Sequence, residues 1–163
     1  MAADRAAHSS LTHIKWKAYG RTENTMTKIM LHGMTNKPAA ELAPLAKSWL
    51  YAPNMQLKSS MYRSEGYDPT QRAYVLACQN RDKPSKLEFT LAAGKASPVV
   101  NPAFVIKDWG TSGASLRVNG NLLARGRDLR FGHHRTVGSS NLIVWFKLES
   151  TVPLQISIVP VAD

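Results

Sequence analysis

Cysteine is almost missing from this chain: Cys78 stands alone among 163 residues. No internal disulfide can form, so the fold must be held by packing and hydrogen bonds. Cys78 lies in the apolar run 73–78 and reads as a buried structural thiol. Missing too is any apolar run of about 18 residues, and with it any expectation of membrane insertion. Residues 1–10 carry Asp4 and Arg5 but no apolar segment, so they read as a disordered N-terminal stretch and not as a secretory signal. That leaves the compartment open between a cytoplasmic chain and part of a longer exported protein.

Acidic side chains are scarce as well. Asp and Glu number 11 against 21 Lys and Arg, a formal charge of +10. The imbalance favours anionic partners, whether acidic polysaccharide, nucleic acid or another anionic polymer. No GxSxG, phosphate-binding loop or GxGxxG occurs, which removes the commonest signatures of hydrolase, nucleotide and dinucleotide chemistry. His133 and His134 have no Cys or carboxylate at a zinc spacing, and neighbouring residues of a strand point to opposite faces. Neither a metal nor a cofactor is expected. Glu65 and Asp68 flank Gly66-Tyr67; two carboxylates make a poor calcium site, and a turn held by Asp68 before Pro69 is the better reading.

What the chain does have is hydrophobic content of 44%, enough for a sizeable core, and a β rhythm through its second half. Asn119-Gly120 separates the apolar runs 114–118 and 121–124, the strongest short-range hairpin signal. Further strands are expected at 73–79, 87–92, 103–107, 142–148 and 153–159, with earlier ones at 11–17 and 22–31. Residues 38–51 read as a helix: Asn36 can cap it, Pro38 suits the first turn, and Leu42, Leu45, Ala46 and Trp49 share a face. Pro44 should kink or restart it, and 55–67 reads as a long loop. Short strands at near-regular spacing predict a mainly β protein. The expected form is an antiparallel β-sandwich, jelly-roll or immunoglobulin-like, forming one domain over 11–163 with a short peripheral helix inserted near 38–51.

Chemistry concentrates at 125–135, RGRDLRFGHHR: four arginines and two histidines against one aspartate. Planar guanidinium groups suit bidentate contact with carboxylate, sulfate or phosphate. Arg125, Arg127, Arg130, His133, His134 and Arg135 are therefore the candidates for an anion-binding loop, with a charged sheet edge as the alternative. Trp49 and Trp145 fall in apolar runs and read as core, whereas Trp109, between Asp108 and Gly110, stays open between core burial and a partly exposed ring able to stack on a sugar or a base. Tyr62, Arg63, Tyr67 and Arg72 supply the side-chain types a uronate lyase needs, a base beside a cation.

The phrases NPAFVIKDWG (101–110), LRVNGNLLARGRDLRFG (116–132) and LIVWFKLESTVPLQISI (142–158) resemble the C-terminal β-sandwich portion of large secreted bacterial polysaccharide-acting proteins. The likeness spans 73–159 and implies a carbohydrate-associated accessory role within a larger parent protein. It carries over no catalytic residue. The expected function is thus a noncatalytic, carbohydrate-binding β-domain that contacts an acidic polysaccharide. The alternatives are a fragment of a polysaccharide lyase or glycoside hydrolase, and a basic nucleic-acid-binding domain.

Overall fold

The structure, a computed structural model, describes residues 38–162. The strands expected at 11–17 and 22–31, the disordered stretch at 1–10, the Asn36 cap, His8, His13, His32 and Trp16 lie outside the described residues.

The chain enters through helix α1 (Ala39–Leu50), then runs through β1 (Met55–Leu57), β2 (Tyr62–Asp68), β3 (Ala73–Cys78), β4 (Leu87–Leu91), β5 (Val99–Val100) and β6 (Ala103–Lys107). It continues with β7 (Gly113–Val118), β8 (Asn121–Leu123), β9 (Leu129–Thr136), β10 (Ser139–Phe146), β11 (Glu149–Ser150) and β12 (Leu154–Val161). Two five-stranded sheets result: sheet I in the order β1-β4-β12-β7-β8 and sheet II in the order β2-β3-β6-β10-β9. The short strands β5 and β11 pair separately. Over the described residues this is a mainly β, sandwich-like fold with one short helix, as the sequence predicts. All pairings are antiparallel except β3 with β6, which run parallel because the chain crosses to sheet I for β4 between them.

Alternation explains the layering. Leu87, Phe89 and Leu91 of β4, Leu154, Ile156 and Ile158 of β12, and Leu142, Val144 and Phe146 of β10 are all buried, while the residues between them are not. Side chains two apart share a face, so each strand presents one apolar row to the opposite sheet. Phe104 sits at the centre, stacked on Phe146 at 5.9 Å and Tyr74 at 5.5 Å, with Phe89 of sheet I 5.1 Å away. Burying each such ring contributes about 2–3 kcal/mol. At the expected hairpin, Asn119 and Gly120 both take positive φ (49° and 83°), the geometry a two-residue turn needs to match strand twist.

Several expectations change. Residues 55–67 are not a long loop but contain β1 and most of β2. The sequence YRSEGYD hides a strand because β2 is a sheet edge, with only Tyr62 buried, and carries a bulge between Ser64 and Gly66. Helix α1 runs through Pro44 without interruption, and its N-cap is Pro38, with no side-chain cap. Pro44 occupies the sixth helical position, so its missing N–H removes one bond without ending the helix. Leu42 and Ala46 are buried beside Leu45 and Trp49, the predicted face, and α1 packs against β5. None of the described helices is long and apolar enough to cross a membrane.

Candidate functional site

The basic segment 125–135 is not one loop. Residues 124–128 connect the sheets, while Leu129–Thr136 forms β9, the outer edge of sheet II, hydrogen-bonded along its whole length to β10. Pairing in register with β10 sorts its side chains onto two faces. Leu129 is buried, and Phe131, His133 and Arg135 follow it on the side facing sheet I. Arg130, Gly132 and His134 face outward, opposite Trp145, Ile143 and Asn141 respectively.

Several of the six basic groups are already engaged. Arg125 donates to the Phe131 carbonyl at 3.3 Å and lays its guanidinium on the Phe131 ring at 4.2 Å. Arg127 pairs with Asp128 at 3.2 Å, and His133 Nε2 donates to the Ser112 carbonyl at 3.0 Å. Arg130, His134 and Arg135 take part in no ion pair among the described residues. All six stay solvent-exposed.

Trp109 is corrected by the structure. It is fully buried, 6.4 Å from Tyr62, and its indole N–H donates to the Ser112 carbonyl at 2.8 Å. Its ring cannot stack on a ligand. The reason is local: Asp108 (φ 57°) and Gly110 (φ 83°) turn the chain sharply, so the intervening ring is driven inward. Asp108 anchors that corner by accepting from Ser139 Oγ at 2.6 Å, and its carbonyl accepts from Asp82 N–H. Trp145 reverses in the opposite sense. Core burial was expected, yet Ser140, Leu142, Val144 and Phe146 fill the inner row of β10, which leaves Ile143 and Trp145 outward. Ile143 is 42% exposed and Trp145 only partly covered, with the Arg130 guanidinium 5.8 Å from its ring centre.

The outward patch is therefore built from three adjacent rows. Trp145 stands beside Arg130; Ile143 forms a floor beside Gly132, where a side chain would meet nothing within 4 Å; Asn141 lies beside His134. An aromatic plane, an aliphatic floor, a cation and two hydrogen-bonding side chains converge over about 10–14 Å of edge.

Of the four side chains suggestive of a lyase, Tyr67 and Arg72 line one small cavity with Trp49 and Tyr74, and Tyr62 and Arg63 are not among its lining residues. Tyr62 faces the core, where its hydroxyl donates to the Ser85 carbonyl at 2.7 Å, and burial pushes its pKa up to about 12, away from use as a base. Arg63 pairs with Glu65, Tyr67 packs edge-on against Tyr74, and Arg72 lies 3.8 Å over the Trp49 ring. Hydrogen bonds from Lys107 and then Arg63 hold the Glu65 carboxyl below its ordinary range. Asp68 accepts from the backbone N–H groups of Thr70 and Gln71, the turn predicted for it. The two carboxylates are thus held by different partners, and no three His, Cys, Asp or Glu side chains gather as metal ligands among the described residues. Cys78 is buried, donates to the Asn80 carbonyl, and has its pKa raised by that burial.

Among known proteins, no family model matches the chain, and no curated protein or solved structure gives a significant match.

Proposed function

We propose that the chain is a noncatalytic binding module for acidic polysaccharide, acting through the β9 edge and the outer face of sheet II. The observation that carries this reading is the pairing of an outward Trp145 with Arg130 beside the bare Ile143–Gly132 floor. A sugar ring offers an apolar face to an indole, and a uronate or sulfate group offers an anion to a guanidinium. Arg125 and Arg127 add positive charge in the connector just before β9, and the overall charge of +10 draws anionic chains toward this edge. Trp145 replaces Trp109 as the stacking residue.

Affinity electrophoresis through gels containing alginate or heparin tests the reading. Retardation should weaken as salt rises and fall further in Arg127→Ala/Arg130→Ala and in Trp145→Ala. Binding that ignores salt, or survives all three substitutions, would rule it out. Equal retardation by duplex DNA, with a log-linear salt slope, would favour a general polyanion surface instead.

A further inference from the structure

The opposite face of the sandwich carries a second feature that the β9 surface does not use. Across sheet I, strand register lines up Glu88 of β4, Ser157 of β12 and Arg117 of β7 in one outward row. Lys58 extends the row, its backbone N–H donating to the Glu88 carbonyl at 2.9 Å. These residues, with Lys86 and Gln155, line a groove of about 340 Å³, within the range of sites that hold small ligands.

Three observations mark the groove as built rather than incidental. First, the side chains flanking Ser157 are each held in place by a partner of their own. Glu88 pairs with Lys86 at 2.8 Å, and Arg117 donates to the Gly120 carbonyl at 3.0 Å. Their strands lie on either side of β12, about 10 Å apart, so the two charged groups bracket the serine. Second, the Ser157 hydroxyl is shielded from solvent yet has no hydrogen-bond partner among the described residues. A buried hydroxyl left unmatched is costly, and such groups in folded proteins call for an explanation. One χ1 step between staggered wells re-aims it. Third, the charge is lopsided: Lys58, Lys86 and Arg117 against Glu88 alone, with no acidic partner for Lys58 among the described residues.

We infer that this groove is a second binding site, separate from the β9 edge, that takes a single uronate unit of a short acidic oligosaccharide. Arg117 and Lys58 hold the sugar carboxylate, while Glu88 and Gln155 accept its hydroxyl protons. Ser157 gives its unmatched hydroxyl to the ring or a neighbouring hydroxyl. The inference shares its ligand class with the function proposed above but not its location, so the two stand or fall separately.

The test is a ¹⁵N-edited NMR titration of the full chain with galacturonate trimer, alongside cellotriose as a neutral match. Galacturonate should shift the amides of Lys58, Glu88, Arg117, Gln155 and Ser157 in the wild type and in Trp145→Ala alike, and cellotriose should not. Arg117→Ala should weaken this binding on the order of 10-fold or more, the worth of a charge-assisted hydrogen bond. Ser157→Ala should also weaken it while leaving the melting temperature unchanged or raised, because it removes an unmatched hydroxyl. Shifts confined to β9 and Trp145 would overturn the second site while sparing the first. Absence of shifts in sheet I, equal binding of cellotriose, or full affinity in Arg117→Ala would overturn it outright.

Discussion

Exchanging the roles of two tryptophans makes a sharp demand on stability. Trp109 is fully buried and bonded to the Ser112 carbonyl, so Trp109→Ala loses the transfer energy of the ring and leaves a cavity. Such truncations cost about 3–5 kcal/mol, and the lost indole hydrogen bond adds about 1 kcal/mol. The Ser112 carbonyl keeps its contact with His133, which limits that second cost. Against a total stability of about 5–15 kcal/mol for a domain, the sum is a large fraction. At roughly 2–4 °C per kcal/mol for a chain near this length, the melting temperature should fall by about 10–20 °C. Trp145→Ala removes a partly covered ring from an outer face and should cost about 1–2 kcal/mol, well below Trp109→Ala, yet abolish most retention on alginate. Thermal unfolding followed by circular dichroism, with both variants beside the wild type, decides the matter. If Trp109→Ala melts within a few degrees of the wild type, or Trp145→Ala is equally destabilised, the inside and outside of this sandwich have been assigned to the wrong rings.

Gly110→Ala should cost about 2–4 kcal/mol, because φ is +83° and a new Cβ would lie 2.9 Å from the Asp82 carbonyl oxygen. Gly132→Ala, which meets nothing within 4 Å, should leave the urea midpoint nearly unmoved and serves as the control. Ser140→Ala should raise stability by about 1 kcal/mol, seen as a higher urea midpoint, since the Ser140 hydroxyl is buried on the inner row of β10 without a partner among the described residues. A lower midpoint would mean that hydroxyl is bonded after all. Burial raises the pKa of Tyr62 and Tyr67 to about 12 and that of Tyr74 further still. The folded state then holds these protons more tightly than the unfolded chain, so their contribution is complete below about pH 10 and is lost as pH climbs through about 12. Phenolate absorbance should accordingly lag in the native protein and appear together with unfolding; a full rise near pH 10 with the fold intact would contradict it.

The legible part of the sequence was the part with a buried face. Ala103–Lys107 matches its expected bounds, and Ala73–Cys78 and Leu87–Leu91 match theirs within a residue. Each places apolar side chains against the opposite sheet, and that requirement is written into composition. Strands β2 and β9 escaped because they are edges. Their backbones are ordered by one neighbour's hydrogen bonds, a relation between distant segments that local pattern does not record. Of the two readings of 125–135, the charged sheet edge is what forms over Leu129–Thr136, and strand pleating divides its basic residues between faces. The inversion of Trp145 and Trp109 had a signal for the first only. In SNLIVWF the even positions 142, 144 and 146 already form an apolar row, which sends 145 outward. For Trp109 the decisive factor is the left-handed turn at Asp108, which no local pattern of residues announces. The groove on sheet I had no local signature at all, because Glu88, Arg117 and Ser157 meet only through register.

Strand β12 lies in the middle of sheet I, flanked by β4 and β7. It is the last of the twelve described strands in chain order, and without it the remaining strands of the sheet pair only as two separate ribbons, β1–β4 and β7–β8. Each ribbon then bares a full row of unsatisfied amides and carbonyls on the side meant for β12. The nascent chain must therefore wait, open-edged, for Leu154 to Val161 before this layer can close. Damage or early termination in those eight residues would strike harder than its distance from either binding surface suggests, by leaving a half-built sheet free to recruit a neighbouring molecule's strand in place of its own.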